Sequence, residues 1–153
     1  MLSGVCYTAR DAAHKRLLEL IEQGKELPFC VSGAAIYYAG PSATPDGAVI
    51  GSCGPTTSSR MDPFTPALLK LGLACAIGKG ERSDLIRRQM QEHRALYFCA
   101  TGGCGALYAK HIVENRTIAF EDLGCEAIRK LVLRDFPVYC AYDLCGADLF
   151  CKE

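Results

Sequence analysis

The chain has 153 residues, half of them apolar and 22% charged, enough for one domain, residues 1–153, with a substantial core. Lys plus Arg equals Asp plus Glu at 17 each, so no net charge draws it to nucleic acid or acidic lipid. No apolar run approaches membrane-spanning length, and "MLSGVCYTARD" lacks the charged start and long apolar stretch of a secretion signal, so a cytoplasmic location is expected.

In chain order, Thr8 and Asp11 open a capping-box-like pattern ahead of a helix through "ARDAAHKRLLELIEQG". Leu17, Leu18, Leu20 and Ile21 give that helix an apolar face, and Gly24 is its natural stop. "AAIYYAGP" reads as a strand ended by Gly40-Pro41, and "TPDGAVIGSCGP" as a turn followed by another strand. A short helix through "PALLKLG" leads to a buried strand in "ACAIGKG". "SDLIRRQMQEH" is helical with Ser83 as N-cap. "ALYFCATGG" is a strand feeding a helix at "CGALYAKHI", and "KLVLRDFPVYCAYDL" holds one or two strands. Alternating strands and helices make the class α/β.

Ten cysteines occur without a C-x-x-C pair or a zinc or ferredoxin spacing. Most lie in apolar stretches such as "ALYFCA" and "PVYCAY", so buried thiols in a reducing compartment are expected. His93 and His111 lack acidic or Cys partners at ligand spacing and read as structural.

Three presumed strand ends carry glycine-bearing polar segments, "GPTTSSR", "GKGERS" and "TGGCG", and in α/β folds ligands gather where strand ends meet helix N-termini. Thr56, Thr57, Ser58 and Ser59 offer hydroxyls and backbone N–H groups for an anion-holding nest, and Arg60 adds a fork for a carboxylate. The same residues fit a capped surface loop equally well. Lys79, between two glycines, is an anion ligand or a turn residue, and "GKG" is not a P-loop. Gly102-Gly103 allows close approach by a ligand or by another backbone. Arg10 and His14 share a helical face, for anion binding and proton transfer or as an ordinary first turn.

The ordered motifs "ARDAAHKR", "IYYAGP", "IGSCGPTTSSRMD", "IGKG" and "GGCGAL" closely resemble the β subunit of class I fumarases and L-tartrate dehydratases, a unit that also forms the C-terminal domain of single-chain class I fumarases. The resemblance runs from about Leu2 to Phe150. It implies a swivelling β/β/α fold and a hydro-lyase acting on a fumarate-like double bond. It also implies a [4Fe–4S] cluster ligated by three cysteines of a partner α subunit and not by this chain, which thus has no metal ligands of its own. The cluster's open iron would act as Lewis acid on the substrate hydroxyl. By the same resemblance, Arg10, Thr56, Thr57, Ser58, Ser59, Arg60 and Lys79 would bind a small dicarboxylate. Thr56 would take part in proton transfer, and His14 matches a histidine proposed as catalytic in the tartrate branch. The family normally has a segment of a few strands or turns before "ARDAAH", whereas this sequence begins almost at that motif. The flanks "RMD" and "ARDAAH" lean towards the β subunit of a fumarate hydratase over that of an L(+)-tartrate dehydratase. A non-catalytic carboxylate-binding module is the third reading.

Overall fold

The computed structural model describes residues 1–151. Seven strands form one mixed sheet in the order β5-β6-β1-β2-β3-β4-β7. Its centre is four parallel strands, β1 (Leu2–Thr8), β2 (Ala35–Tyr37), β3 (Cys75–Gly78) and β4 (Leu96–Cys99). The last three are short apolar runs, as expected of parallel strands covered on both faces. Antiparallel β6 (Ile128–Phe136) and β5 (Ile112–Ala119) extend one side, and β7 (Tyr139–Tyr142) closes the other.

Three helices, α1 (Asp11–Glu22), α2 (Thr65–Lys70) and α3 (Asp84–Glu92), send Leu17, Leu68, Leu69, Ile86 and Met90 into a core shared with Ile36, Tyr38 and Tyr97. The other face packs Tyr37, Ile77, Leu131 and Phe136 against Tyr108 of α4 (Gly105–Ala109) and against Ile50 and Cys53 of a long loop. Among the described residues, no helix is long and apolar enough to cross a membrane.

The expected α/β class is the one found, and most elements lie where the periodicity puts them. Ser83 caps α3 through its side chain, 3.4 Å from the amide of Ile86, and Gly24, at φ +62°, terminates α1. Three expectations are corrected, and a strand not expected from the sequence is added. Thr8 does not cap α1: Arg10 is the N-cap, without a side-chain bond, while the Thr8 hydroxyl donates to the Ala127 carbonyl at 3.2 Å and accepts from the Arg129 amide at 3.0 Å, tying β1 to β6. The turn at Pro45-Asp46-Gly47 forms, but no regular strand follows; only an isolated bridge joins Pro55 to Ala39. The chain from Leu2 to Thr8 is itself a strand, disguised by Ser3-Gly4, where a register shift and a Gly4 φ of +133° mark a bulge. The cysteines are mostly not buried: Cys6, Cys53 and Cys99 are, whereas Cys30, Cys125, Cys140, Cys145 and Cys151 are exposed. Burial raises the Cys6 thiol pKa and pushes Cys53 and Cys75 up to about 12, so those thiols stay protonated and unreactive.

Candidate functional site

The carboxyl ends of the four parallel strands bring the sequence-derived residues to one edge of the sheet. Arg10 follows β1, Gly40 follows β2, Lys79 follows β3, and Gly102 follows β4. The segment Thr56–Ser58 runs alongside them. The Thr56 amide donates to the Tyr38 carbonyl at 2.6 Å, the Lys79 amide to the Thr56 carbonyl at 3.2 Å, and the Ser58 amide to the Lys79 carbonyl at 2.9 Å. Thr57 and Lys79 are thereby paired as a parallel bridge. Because the amides of Thr56 and Ser58 are used inside the protein, this segment is not an open nest of N–H groups. What it offers outward are the hydroxyls of half-buried Thr56 and of exposed Thr57 and Ser59. Ser58, expected among the ligand-binding hydroxyls, is corrected: it points inward, is fully buried and bonds Tyr97.

Two glycines, Gly40 and Gly78, clear space for two of these side chains, and a third, Gly102, lies against Lys79. A Cβ on Gly40 would stand 2.8 Å from Nη1 and 2.9 Å from Cδ of Arg10. A Cβ on Gly78 would fall 1.9 Å from Ser58 Oγ, and one on Gly102 3.4 Å from Lys79 Cδ and 3.6 Å from its Nζ. At Gly102 a Cβ would make only ordinary contact with the Lys79 side chain, so Lys79 lies over the end of β4 without requiring glycine there.

The two arginines are oriented by carboxylates that sequence reasoning missed in this role. Asp11, read there only as a capping residue, accepts from Arg60 Nε at 3.0 Å and from Nη2 at 2.7 Å. Glu126, in the 3-10 segment Glu121–Glu126, accepts from the Ala12 amide at 2.9 Å and lies 3.7 Å from Arg10 Nη2. Arg60 has five N–H donors and Asp11 takes two of them, so Nη1 and one Nη2 hydrogen stay available to a ligand. Arg10 Nε is buried without a partner.

His14 lies beneath the edge, 1% exposed. Its Nδ1 is 2.9 Å from the Arg10 carbonyl, and since a carbonyl only accepts, Nδ1 carries the proton. Nε2 has no partner, and the ring packs on Tyr38 and Phe64 at 5.3 and 5.8 Å. Burial, helped by the Arg82 charge and opposed by the Arg10 carbonyl, lowers the His14 pKa from 6.5 to about 4. Between those values the unfolded chain binds a proton that the folded chain refuses, so stability falls as pH drops from about 6.5 to about 4. Urea unfolding at pH 7 and pH 5 should show wild type losing stability by roughly 1–3 kcal/mol, and His14→Gln should remove most of that loss. An equal pH dependence in both chains would refute the assignment. His93 caps the end of α3, and His111 places Nδ1 3.1 Å from the Arg134 carbonyl, both structural positions.

Three residues beyond Lys79 is a third missed residue, Arg82, whose side chain is wholly buried against Asp62. The signal was present, an arginine just before an N-cap serine in "GERSD", but arginine is so often solvated that burial is not readable from that pattern. Among the described residues, no three His, Cys, Asp or Glu side chains come together in a metal-binding arrangement.

The chain is 37% identical to fumarate hydratase 2 of Leishmania major over 154 aligned residues, which is 99% of this chain and 27% of that protein. It is 39% identical to the anaerobic class I fumarate hydratase of Escherichia coli strain K12, covering 97% of this chain and 28% of that protein. It is also 31% identical to the L(+)-tartrate dehydratase subunit beta of the same strain, covering 99% of this chain and 77% of that subunit. The chain thus spans little more than a quarter of the fumarate hydratases that it matches. The model of the family described as fumarase C-terminus matches residues 1–153, and the chain belongs to that family of hydro-lyase units.

Proposed function

We propose that this chain is the dicarboxylate-gripping unit of a class I fumarate hydratase, interconverting (S)-malate and fumarate together with a partner α subunit. The observation that carries this reading is the convergence of Arg10, Arg60 and Lys79 with the hydroxyls of Thr56, Thr57 and Ser59 at the carboxyl ends of the parallel strands. Such an array of cations and hydroxyls suits a small dianion. The described residues do not fit as ligands of a [4Fe–4S] cluster. By the family resemblance the cluster belongs to the partner, and the roles below are those of this chain alone.

Dehydrating malate requires loss of a weakly acidic C–H proton beside a carboxylate. Arg10 and Arg60 hold the carboxylates. Lys79 faces the one that gains charge as the proton leaves, and a fixed cation there stabilises that charge most in the transition state. Thr56 is the proposed proton-transfer hydroxyl, although a threonine needs activation by neighbours for that role. In the isolated chain His14 contributes through the Arg10 carbonyl, since its Nε2 is sealed from solvent.

Arg60 gives the direct test. In the reconstituted two-subunit enzyme, Arg60→Ala should lower kcat/KM for (S)-malate by about a hundredfold. Asp11→Asn, which leaves the guanidinium in place but unguided, should cost about tenfold or less. Wild-type turnover in Arg60→Ala would remove the loop from the site. L(+)-tartrate dehydration is the second reading, favoured by the fuller coverage of that subunit beta. The ratio of kcat/KM for (S)-malate and L(+)-tartrate decides between them.

A further inference from the structure

We propose that Arg82 is a positioning residue for the dicarboxylate site, a buried cation that fixes Lys79 and the Thr56–Arg60 segment at their working separation. The inference rests on the dicarboxylate reading above. Arg82 touches no surface, yet it reaches both halves of the site. Its Nε donates to Asp62 Oδ1 at 2.5 Å, its Nη2 to Thr65 Oγ1 at 2.7 Å, and its Nη1 to the Tyr38 hydroxyl at 3.2 Å. The guanidinium also lies 5.4 and 5.5 Å from the ring centres of Tyr38 and Tyr97, within cation–π range. Asp62 Oδ2 accepts from the Ser83 amide at 2.9 Å, and the Arg82 amide donates to the Tyr142 hydroxyl at 3.0 Å.

These contacts join two pieces of chain far apart in sequence. Asp62 ends the 3-10 turn Ser58–Met61, two residues after Arg60. Arg82 ends the loop that begins at Lys79 and Gly80. Tyr97 adds a second tie, with its hydroxyl 2.6 Å from the Gly80 carbonyl and 2.8 Å from Ser58 Oγ. A carbonyl can only accept, so the single Tyr97 proton goes to Gly80 and Ser58 donates to Tyr97. Burial raises the Tyr97 pKa, which keeps that proton in place.

A buried ion pair is often no more stabilising than apolar side chains of equal volume. What it adds is direction. The planar guanidinium addresses Asp62, Tyr38 and Thr65 from three separate nitrogens held in a fixed plane, whereas lysine donates from one nitrogen on a flexible stem. Arg82→Lys therefore keeps the charge and loses the geometry.

The test uses the full chain, followed by amide NMR, with succinate as a non-reacting dicarboxylate probe. Arg82→Lys should shift the Thr57, Ser58 and Lys79 amides and speed their hydrogen exchange, with those of β5 and β6 unmoved. It should also weaken succinate binding by ~5–10-fold. Asp62→Asn serves as the second variant, should Arg82→Lys not fold, and should move the same amides. Met90→Ala, a core truncation near the C-terminal end of α3 at a residue that makes none of these hydrogen bonds, controls for general loss of stability and should leave them in place. Unchanged Lys79 and Thr57 signals with unchanged succinate affinity in the Arg82 or Asp62 variant would overturn the proposal. So would the same shifts in Met90→Ala. Failure of succinate to perturb the wild-type chain would instead overturn the dicarboxylate reading, and with it the link from Arg82 to ligand binding. The amide shifts of the ligand-free chains would still decide whether Arg82 sets the loop.

Discussion

Replacing Lys79 with methionine is expected to lower kcat/KM of the reconstituted enzyme for (S)-malate by about 10²–10³-fold, the usual cost of losing a fixed group that stabilises developing charge. Methionine keeps the length and apolar stem that lie over Gly102 but removes the ammonium. The backbone bridge between Lys79 and the Thr56–Ser58 segment uses main-chain atoms only, so the variant should fold and melt much as wild type does. The loss should fall mainly on kcat, because the charge is stabilised more in the transition state than in the ground state. A drop confined to KM would make Lys79 a simple anion ligand. Unchanged kinetics would take it out of the site.

Gly78→Ala should produce a large structural effect. The new Cβ would meet Ser58 Oγ at 1.9 Å, Tyr38 Cδ2 at 2.8 Å and Ser58 Cβ at 3.3 Å. None of these can easily retreat. Ser58 is fully buried and bonded to Tyr97, and Tyr38 is packed in the core beside His14 and Arg82. Overpacking plus the loss of the Ser58–Tyr97 bond should destabilise the fold by about 2–4 kcal/mol, visible in urea unfolding. Adding Ser58→Ala removes the nearest clashing atom and should recover part of that loss. A Gly78→Ala chain as stable as wild type would show that Ser58 does not pack against β3 as described.

These two residues illustrate what was legible in the sequence. Lys79 was readable because its surroundings are local: an apolar strand, then glycine, lysine and glycine. The same holds for Ser83 as N-cap and for β3 and β4 as buried strands, where short-range pattern and final position agree. The relation of Gly78 to Ser58 was not readable, since it joins positions twenty residues apart through a sheet register. Asp11 was visible only as an acidic residue in a helix's first turn; that it orients Arg60 depends on how α1 and the 3-10 turn meet. β5 was missed because "IVENRTIA" is an edge strand with polar residues facing outward, and such strands lack a continuous apolar run. The apolar stretches around several cysteines overstated their burial, because Cys140 lies on edge strand β7 and Cys145 and Cys151 beyond it, where one side stays open. The motif order made the family resemblance possible, while the buried Arg82 network needed the fold.

The central claim is that this chain supplies the dicarboxylate-binding half of a hydro-lyase and that another chain supplies the rest. The most direct test is an anaerobic (S)-malate–fumarate assay of the purified chain alone and after pairing with a cluster-bearing α subunit. The account predicts no turnover from the chain alone and full interconversion from the pair. Turnover by the isolated, iron-free chain would contradict it.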